Sequence, residues 1–128
     1  MHVVSSKAAN PQRATDPIFT GEVHRHQLID DKMGKVLRMG LVKFSPGGRT
    51  RWHMHSFEQG LVIVEGRGIV ASESQGERIV QAGDVVVFDT NEKHWHGATS
   101  TTGMSHIAVN LAGSNQILED SEIKTPNV

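Results

Sequence analysis

Short apolar segments separated by turn residues are the feature that most limits the folds open to this chain. Val and Ile concentrate in brief runs, and Gly, Pro, Asp and Asn stand between the runs. No long segment has apolar residues at helical spacing, so the pattern predicts strands joined by turns and an all-β sandwich or barrel. The predicted strands are residues 22–29, 36–44, 60–65, 68–73, 77–81, 84–88 and 105–111, with turns that include residues 65–68.

Length and composition restrict the remaining possibilities. A chain of 128 residues is long enough for one domain with a buried core. We expect a polar N-terminal segment at 1–16, a barrel at 17–112 and a polar C-terminal tail at 113–128. Cysteine is absent and the formal charge is -1 without a basic block, which argues against thiolate sites, disulfides and nucleic-acid binding. No apolar run suits a membrane span or a signal peptide, so a cytoplasmic location without membrane partners is expected.

Two histidine-rich stretches predict a metal site. His53 and His55 are two residues apart, with Gln59 close behind, and His94 lies in the second stretch. Side chains two apart on a strand project from one face, so both imidazoles can point at the same place. A third imidazole from another strand can complete a site for a divalent metal.

The spacing around these residues resembles the two motifs of the cupin superfamily. Residues 47–66 read Gly-x5-His-x-His-x3-Gln-x6-Gly, and residues 83–98 place a Gly ahead of His94 in the manner of the second motif. The resemblance implies a single-domain antiparallel jelly-roll β-barrel with a metal in its mouth. It also implies His53, His55, Gln59 and His94 as ligands.

Two neighbouring residues, Glu58 and Gln59, are candidates for the fourth ligand. Glu58 is the stronger ligand in isolation, but Gln59 shares inward parity with the two histidines. A neutral amide would leave the ion its full positive charge and make it a strong Lewis acid. Mixed nitrogen and oxygen ligands suit manganese, iron, nickel or zinc, and the family resemblance makes manganese the first choice.

Other residues are expected in the same cavity. On the last strand, alternation directs His106 and Asn110 inward, where His106 is a candidate general base or a structural histidine. His96 shares parity with His94, and cavity and surface positions are both open for it. The candidate substrate-binding residues are Gly40, Val42, Phe44, Leu61 and Asn110. His24 and His26 repeat the His-x-His pattern without a second motif, so we expect them at the surface.

Residues 92–98 and 101–108 narrow the resemblance to small bacterial cupins related to carboxymuconolactone decarboxylases, which include manganese-dependent hydroxynitrile lyases. This implies a lyase that breaks or forms the C–C bond of a small oxygenated substrate, with His106 and His96 moving the proton. The alternatives are an isomerase, an iron-dependent dioxygenase and a non-catalytic sugar- or metal-binding cupin. Apolar alternation on both faces of several strands predicts a homodimer or higher homo-oligomer.

Overall fold

The structure, a computed structural model, describes residues 1–118 of the chain. Within these residues the backbone forms twelve β-strands and one short 3-10 turn at Ser6–Ala8, which confirms the all-β prediction. Every strand pair is antiparallel. The strands are β1 Gln12–Arg13, β2 Phe19–Thr20, β3 Val23–Ile29, β4 Leu37–Phe44, β5 Arg49–Thr50, β6 His53–His55, β7 Gln59–Ser72, β8 Gly76–Gln81, β9 Val85–Phe88, β10 His94–Ala98, β11 Met104–Leu111 and β12 Asn115–Ile117.

The strands form a curled sheet with two walls that face each other across the core. One wall follows the order β1-β3-β4-β11-β7, with β9 on the far side of β7. The other wall contains β8, β7, β10, β5 and β2, while β6 and β12 extend from β10. Strand β7 belongs to both walls and joins them. This is the antiparallel barrel that the sequence pattern and the jelly-roll resemblance predicted.

The predicted turn at residues 65–68 is wrong, because the chain continues through it as the single strand β7. Gly66 has a φ of 74°, a left-handed conformation that costs a glycine little. A Cβ at this position would also collide with the carbonyl oxygen of Gly103 on the neighbouring segment. Gly66 therefore bends β7 between the two walls, where the local pattern of glycines indicated a turn between two strands.

The core fills the space between the walls with side chains that alternate along each strand. Val23, Val42, Phe44, Leu61 and Ile63 are all at least nine-tenths buried on the inner face of the first wall. They pack against apolar side chains of the second wall, such as Val70 and Val80. The apolar core fills one part of the barrel, and the buried histidines lie beside it.

The segments outside residues 17–112 also contact the barrel. Strand β1 pairs with β3 at one edge, and β12 pairs with β6 next to the histidines. Of the expected C-terminal tail, residues 119–128 lie outside the described part of the chain. Within residues 1–118, no helix has the length and apolar character that a membrane span requires.

Candidate metal centre

Three strands bring the candidate ligands of the two sequence motifs together. His53 and His55 lie on β6, Gln59 begins β7, and His94 begins β10. His94 stands directly opposite His53 in the β6–β10 pair, so the two motifs meet through strand register. All four side chains are buried, which places their polar atoms in a region with little access to bulk water.

Hydrogen bonds fix the tautomer of the three imidazoles. His53 Nδ1 donates to the carbonyl oxygen of Arg51 at 2.8 Å, and His94 Nδ1 donates to that of Glu92 at 2.7 Å. His55 Nδ1 donates to Asn115 Oδ1 at 2.6 Å. In a neutral ring with a protonated Nδ1, Nε2 carries a lone pair. Metal-binding histidines are commonly held in this way, with the nitrogen that does not bind the metal donating a hydrogen bond to a nearby oxygen.

Burial keeps these rings neutral. Loss of water and, to a smaller extent, the neighbouring His55 lower the pKa of His53 to about 3, against the opposing effect of its hydrogen bond to the Arg51 carbonyl oxygen. Loss of water also lowers the pKa of His94 to about 2, with an added contribution from His53. The pKa of His55 is lowered for the same reason. At neutral pH the three rings are thus deprotonated, which is the state that binds a metal.

The contact between His94 and Gln59 fits a shared cation. Gln59 Nε2 donates to Asn110 Oδ1 at 2.9 Å, so its Oε1 is turned towards the imidazoles. That oxygen lies 3.1 Å from His94 Nε2, although both atoms carry lone pairs and neither has a proton to share. Neighbouring ligands of a divalent transition metal are about 3 Å apart when bonds are about 2.1 Å long. A bound cation would turn this repulsive contact into a favourable one.

His96 links the metal candidates to His106. The ligand nitrogens of His53, His94 and His96 lie within 4.8 Å of one another, close enough to bind a single metal ion. His96 Nδ1 is also 3.0 Å from His106 Nε2. His96 Nε2 and His106 Nδ1 have no hydrogen-bond partner in the described structure. Burial lowers the pKa of His106 to about 4 and that of His96 well below its ordinary value.

Aromatic rings hold the imidazoles in place from the core side. Phe88 stacks on His94 with ring centroids 3.8 Å apart, and Phe57 stacks on His55 at 4.9 Å. Phe44 lies 5.3 Å from the His106 ring. Phe44 and Leu61, which were expected to bind substrate, lie in the apolar core and do not line the cavity.

A cavity of about 280 Å³ opens onto this cluster. Among the predicted residues, Gly40, Val42 and Asn110 line it together with His53, His55, Gln59, His96 and His106. Glu58, the alternative ligand, has an exposed side chain, while Gln59 is only 4% exposed.

Several cavity residues were not predicted from the sequence. Arg25 and Gln27 on β3, Asp16 in the N-terminal segment and Asn115 on β12 all line the cavity. Alternation along β3 would have indicated Arg25 and Gln27. His24 and His26 were expected at the surface, and their neighbours on the strand point to the opposite face. No sequence signal indicated Asn115, since it lies in a segment expected to be a polar tail.

Comparisons with known proteins agree with this architecture. The family model described as cupin domain matches residues 40–110. An (R)-mandelonitrile lyase from Granulicella tundricola is 40% identical over 91 residues, which cover 71% of this chain and 70% of that protein. A cupin-like protein from Thermotoga maritima has a TM-score of 0.78 at 30% identity, covering 92% of this chain and 87% of the other.

A further solved structure, a polyketide cyclase from Streptomyces resistomycificus, has a TM-score of 0.81 at 20% identity and covers 93% of this chain and 86% of its own. At that level of identity it shows the fold alone. The curled antiparallel barrel, the paired histidine motifs and the family match lead to one conclusion. This chain belongs to the cupin family.

Proposed function

We propose that this protein is a metal-dependent lyase that cleaves and forms the C–C bond of cyanohydrins. His53, His55, Gln59 and His94 are the proposed ligands of one divalent ion, with manganese as the first choice. The facing lone pairs of His94 Nε2 and Gln59 Oε1 at 3.1 Å carry the metal assignment. The 40% identity to an (R)-mandelonitrile lyase supports the reaction class.

The ligand set defines the chemistry available in the cavity. Imidazole and amide ligands are neutral, so they leave the charge of a divalent ion uncompensated. When bound, the ion supplies Lewis acidity towards a hydroxyl or carbonyl oxygen of the substrate. The mixed nitrogen and oxygen donors suit several divalent transition metals. The small cavity restricts the substrate to a compact molecule.

We assign the proton transfer to His106 and His96. A pKa of about 4 leaves His106 neutral at neutral pH, so its ring can accept the hydroxyl proton of the cyanohydrin. As the C–C bond breaks, its electron pair leaves with cyanide and the oxygen becomes a carbonyl. The protonated ring then returns the proton to cyanide, which departs as hydrogen cyanide. His106 Nε2 is 3.0 Å from His96 Nδ1, so the second ring shares the transient charge.

The test is release of benzaldehyde from mandelonitrile by protein loaded with manganese. We expect His106→Ala to lower the rate by about a hundredfold or more, because general-base catalysis typically contributes that much. His26→Ala is the matched control, since His26 does not line the cavity. A His106→Ala rate equal to that of the unmodified protein would refute the base assignment. Oxygen uptake that follows iron would instead favour the dioxygenase alternative.

Metal analysis separates the ligands from the proton carrier. We expect His94→Ala to lose the metal and His96→Ala to keep it while losing activity. Retention of metal by His94→Ala would contradict the proposed ligand set. Loss of metal in His96→Ala would move His96 into the ligand set, consistent with its place in the group of three close imidazoles.

A second copy of the chain is the proposed partner of the outer sheet face. Val62, Val64, Val85 and Val87 lie on neighbouring strands β7 and β9 and are 37%, 44%, 68% and 60% exposed. Adjacent exposed apolar side chains of this kind are typical of contact surfaces. Light scattering should show a dimer or larger assembly that Val87→Glu weakens. A monomeric unmodified protein would contradict the proposal.

A further inference from the structure

We propose that Arg25 binds a negatively charged group of the substrate, so that the substrate is a small hydroxy or carbonyl compound that also bears a carboxylate. The inference rests on the proposed function only for the position of the reactive end, beside His106 and the metal ligands. The new element is that Arg25 recognises the end of the substrate opposite to the reactive one. No sequence motif indicated Arg25.

Strand register places Arg25 on the same face as the proposed base. Arg25 on β3 stands opposite Val42 on β4, and Val42 stands opposite His106 on β11. Adjacent strands are about 4.8 Å apart, so the Cα atoms of Arg25 and His106 are separated by about 10 Å. Both side chains line the same cavity. A compact ligand can therefore reach both residues at once.

Small side chains keep the space between the two ends open. In the next row across the same strands, Gly40 lies between Gln27 and Ala108. A Cβ at Gly40 would meet Gln27 Oε1 at 3.4 Å, so a larger side chain would extend into the cavity. Gln27, Gly40 and Ala108 all line the cavity. The small residues Gly40 and Ala108 leave space in the cavity between the imidazoles and the guanidinium group, and Gln27 forms the wall beside that space.

The cavity wall carries one positive and one negative side chain, and the two are paired with each other. Among residues 1–118, the cavity wall carries two charged side chains, Arg25 and Asp16, apart from its titratable histidines. They form an ion pair of 3.1 Å, and each side chain is about two-fifths exposed, at 40% and 41%. A pair this exposed contributes little to stability. Asp16 instead occupies the position beside the guanidinium that a ligand carboxylate would take.

A ligand carboxylate can replace the Asp16 carboxylate at Arg25, and this replacement makes the site selective for anionic substrates. The fork of N–H donors on an arginine matches carboxylate geometry, and the exposed pair with Asp16 can open without leaving a buried charge. The proposed neutral ligands leave the metal end positive as well. An anionic substrate would thus be attracted by both ends of the cavity, whereas a neutral substrate would leave the Arg25–Asp16 pair closed.

The test compares gamma-hydroxybutyrate with gamma-hydroxybutyramide, which have the same length and hydroxyl but differ in charge. Calorimetric titration of the full-length, manganese-loaded protein should show about tenfold tighter binding of the carboxylate, as expected for one partly exposed charged contact. Arg25→Gln should abolish this preference. Asp16→Asn should strengthen carboxylate binding, because the competing side chain is removed.

Arg13→Gln is the matched control, because Arg13 forms an exposed ion pair with Glu22 at 3.7 Å and does not line the cavity. It should keep the full preference for the carboxylate. An undiminished preference in Arg25→Gln would show that the carboxylate binds elsewhere, and it would overturn the proposal. Equal binding of both probes by the unmodified protein would overturn it too.

Metal content and a parallel titration in EDTA keep the two proposals apart. An Arg25-dependent preference that persists in a protein unable to bind manganese would support the anion site and refute the metal-dependent function. Normal metal binding with no Arg25-dependent preference would refute the anion site alone. Arg25→Lys, which retains the charge but not the fork of donors, should keep part of the preference.

Discussion

Mild acid should destabilise the metal-free protein, because five imidazoles are buried close together inside the barrel. Burial lowers the pKa to about 3 for His53, about 2 for His94 and about 4 for His106. It also lowers the pKa of His55 and His96. In the unfolded chain these rings titrate near their ordinary pKa of 6.5. Below that pH the unfolded state therefore binds more protons than the folded state. The free energy of unfolding decreases as the pH is lowered.

The size of the effect follows from proton linkage. A ring with a pKa of 6.5 when unfolded that stays neutral when folded lowers the free energy of unfolding by about 1.3 kcal/mol between about pH 7 and pH 5.5. His53, His94 and His106 together contribute about 4 kcal/mol over this interval. His55 and His96 act in the same direction. Since a domain of this size unfolds at a cost of about 5–15 kcal/mol, a large share of its stability is lost.

Urea unfolding in EDTA at the two pH values measures this loss. Trp52 and Trp95 are 2% and 4% exposed, so their fluorescence reports unfolding of the core. We expect His106→Asn to reduce the difference between the two pH values by about 1.3 kcal/mol. His26→Asn is the control outside the cavity. Equal free energies of unfolding at both pH values in the unmodified protein would refute the reasoning.

Three further changes test individual contacts. Manganese at about a hundred times its Kd should raise the free energy of unfolding by about 2.7 kcal/mol, and an unchanged urea midpoint would argue against a metal site. Asn115→Ala removes the acceptor that orients His55 and should raise the metal Kd about ten- to hundredfold in a chelator competition, whereas Gln116→Ala on the same strand should not. Gly66→Ala forces a side chain into a left-handed conformation and should cost about 2 kcal/mol or more in urea unfolding. Gly60→Ala, with ordinary space for a Cβ, should be milder, and equal losses would contradict the bend at Gly66.

The sequence allowed us to predict on which face of a strand each side chain lies, because side-chain direction alternates with a period of two residues. That rule placed His53 and His55 together and preferred Gln59 over Glu58, and the structure buries Gln59 and exposes Glu58. It also directed His106 towards the interior, where it is fully buried. The same local reasoning failed at Gly66, because a glycine in a bent strand and a glycine in a turn between two strands have similar sequence surroundings.

Partners across the sheet were beyond the reach of the sequence pattern. The hydrogen bond between His96 and His106 depends on how β10 and β11 lie against β7, and the contact of His55 with Asn115 depends on β12 pairing with β6. His55 and Asn115 are 60 residues apart in the chain, and His96 and His106, although only 10 residues apart, lie on strands that are separated by β7. Their register is set by closure of the whole barrel, which no local window of residues contains.

By itself, the sequence determined the all-β class, the inward faces of the histidine strands and the ligand types available to a metal. Each of these follows from local alternation, turn residues and side-chain chemistry. The tertiary structure alone decided that Arg25 and Asp16 share a cavity with His106, and that His94 Nε2 and Gln59 Oε1 face each other. The reason is physical: a strand's own residues set which way its side chains point, while strand pairing and barrel closure decide which side chains meet.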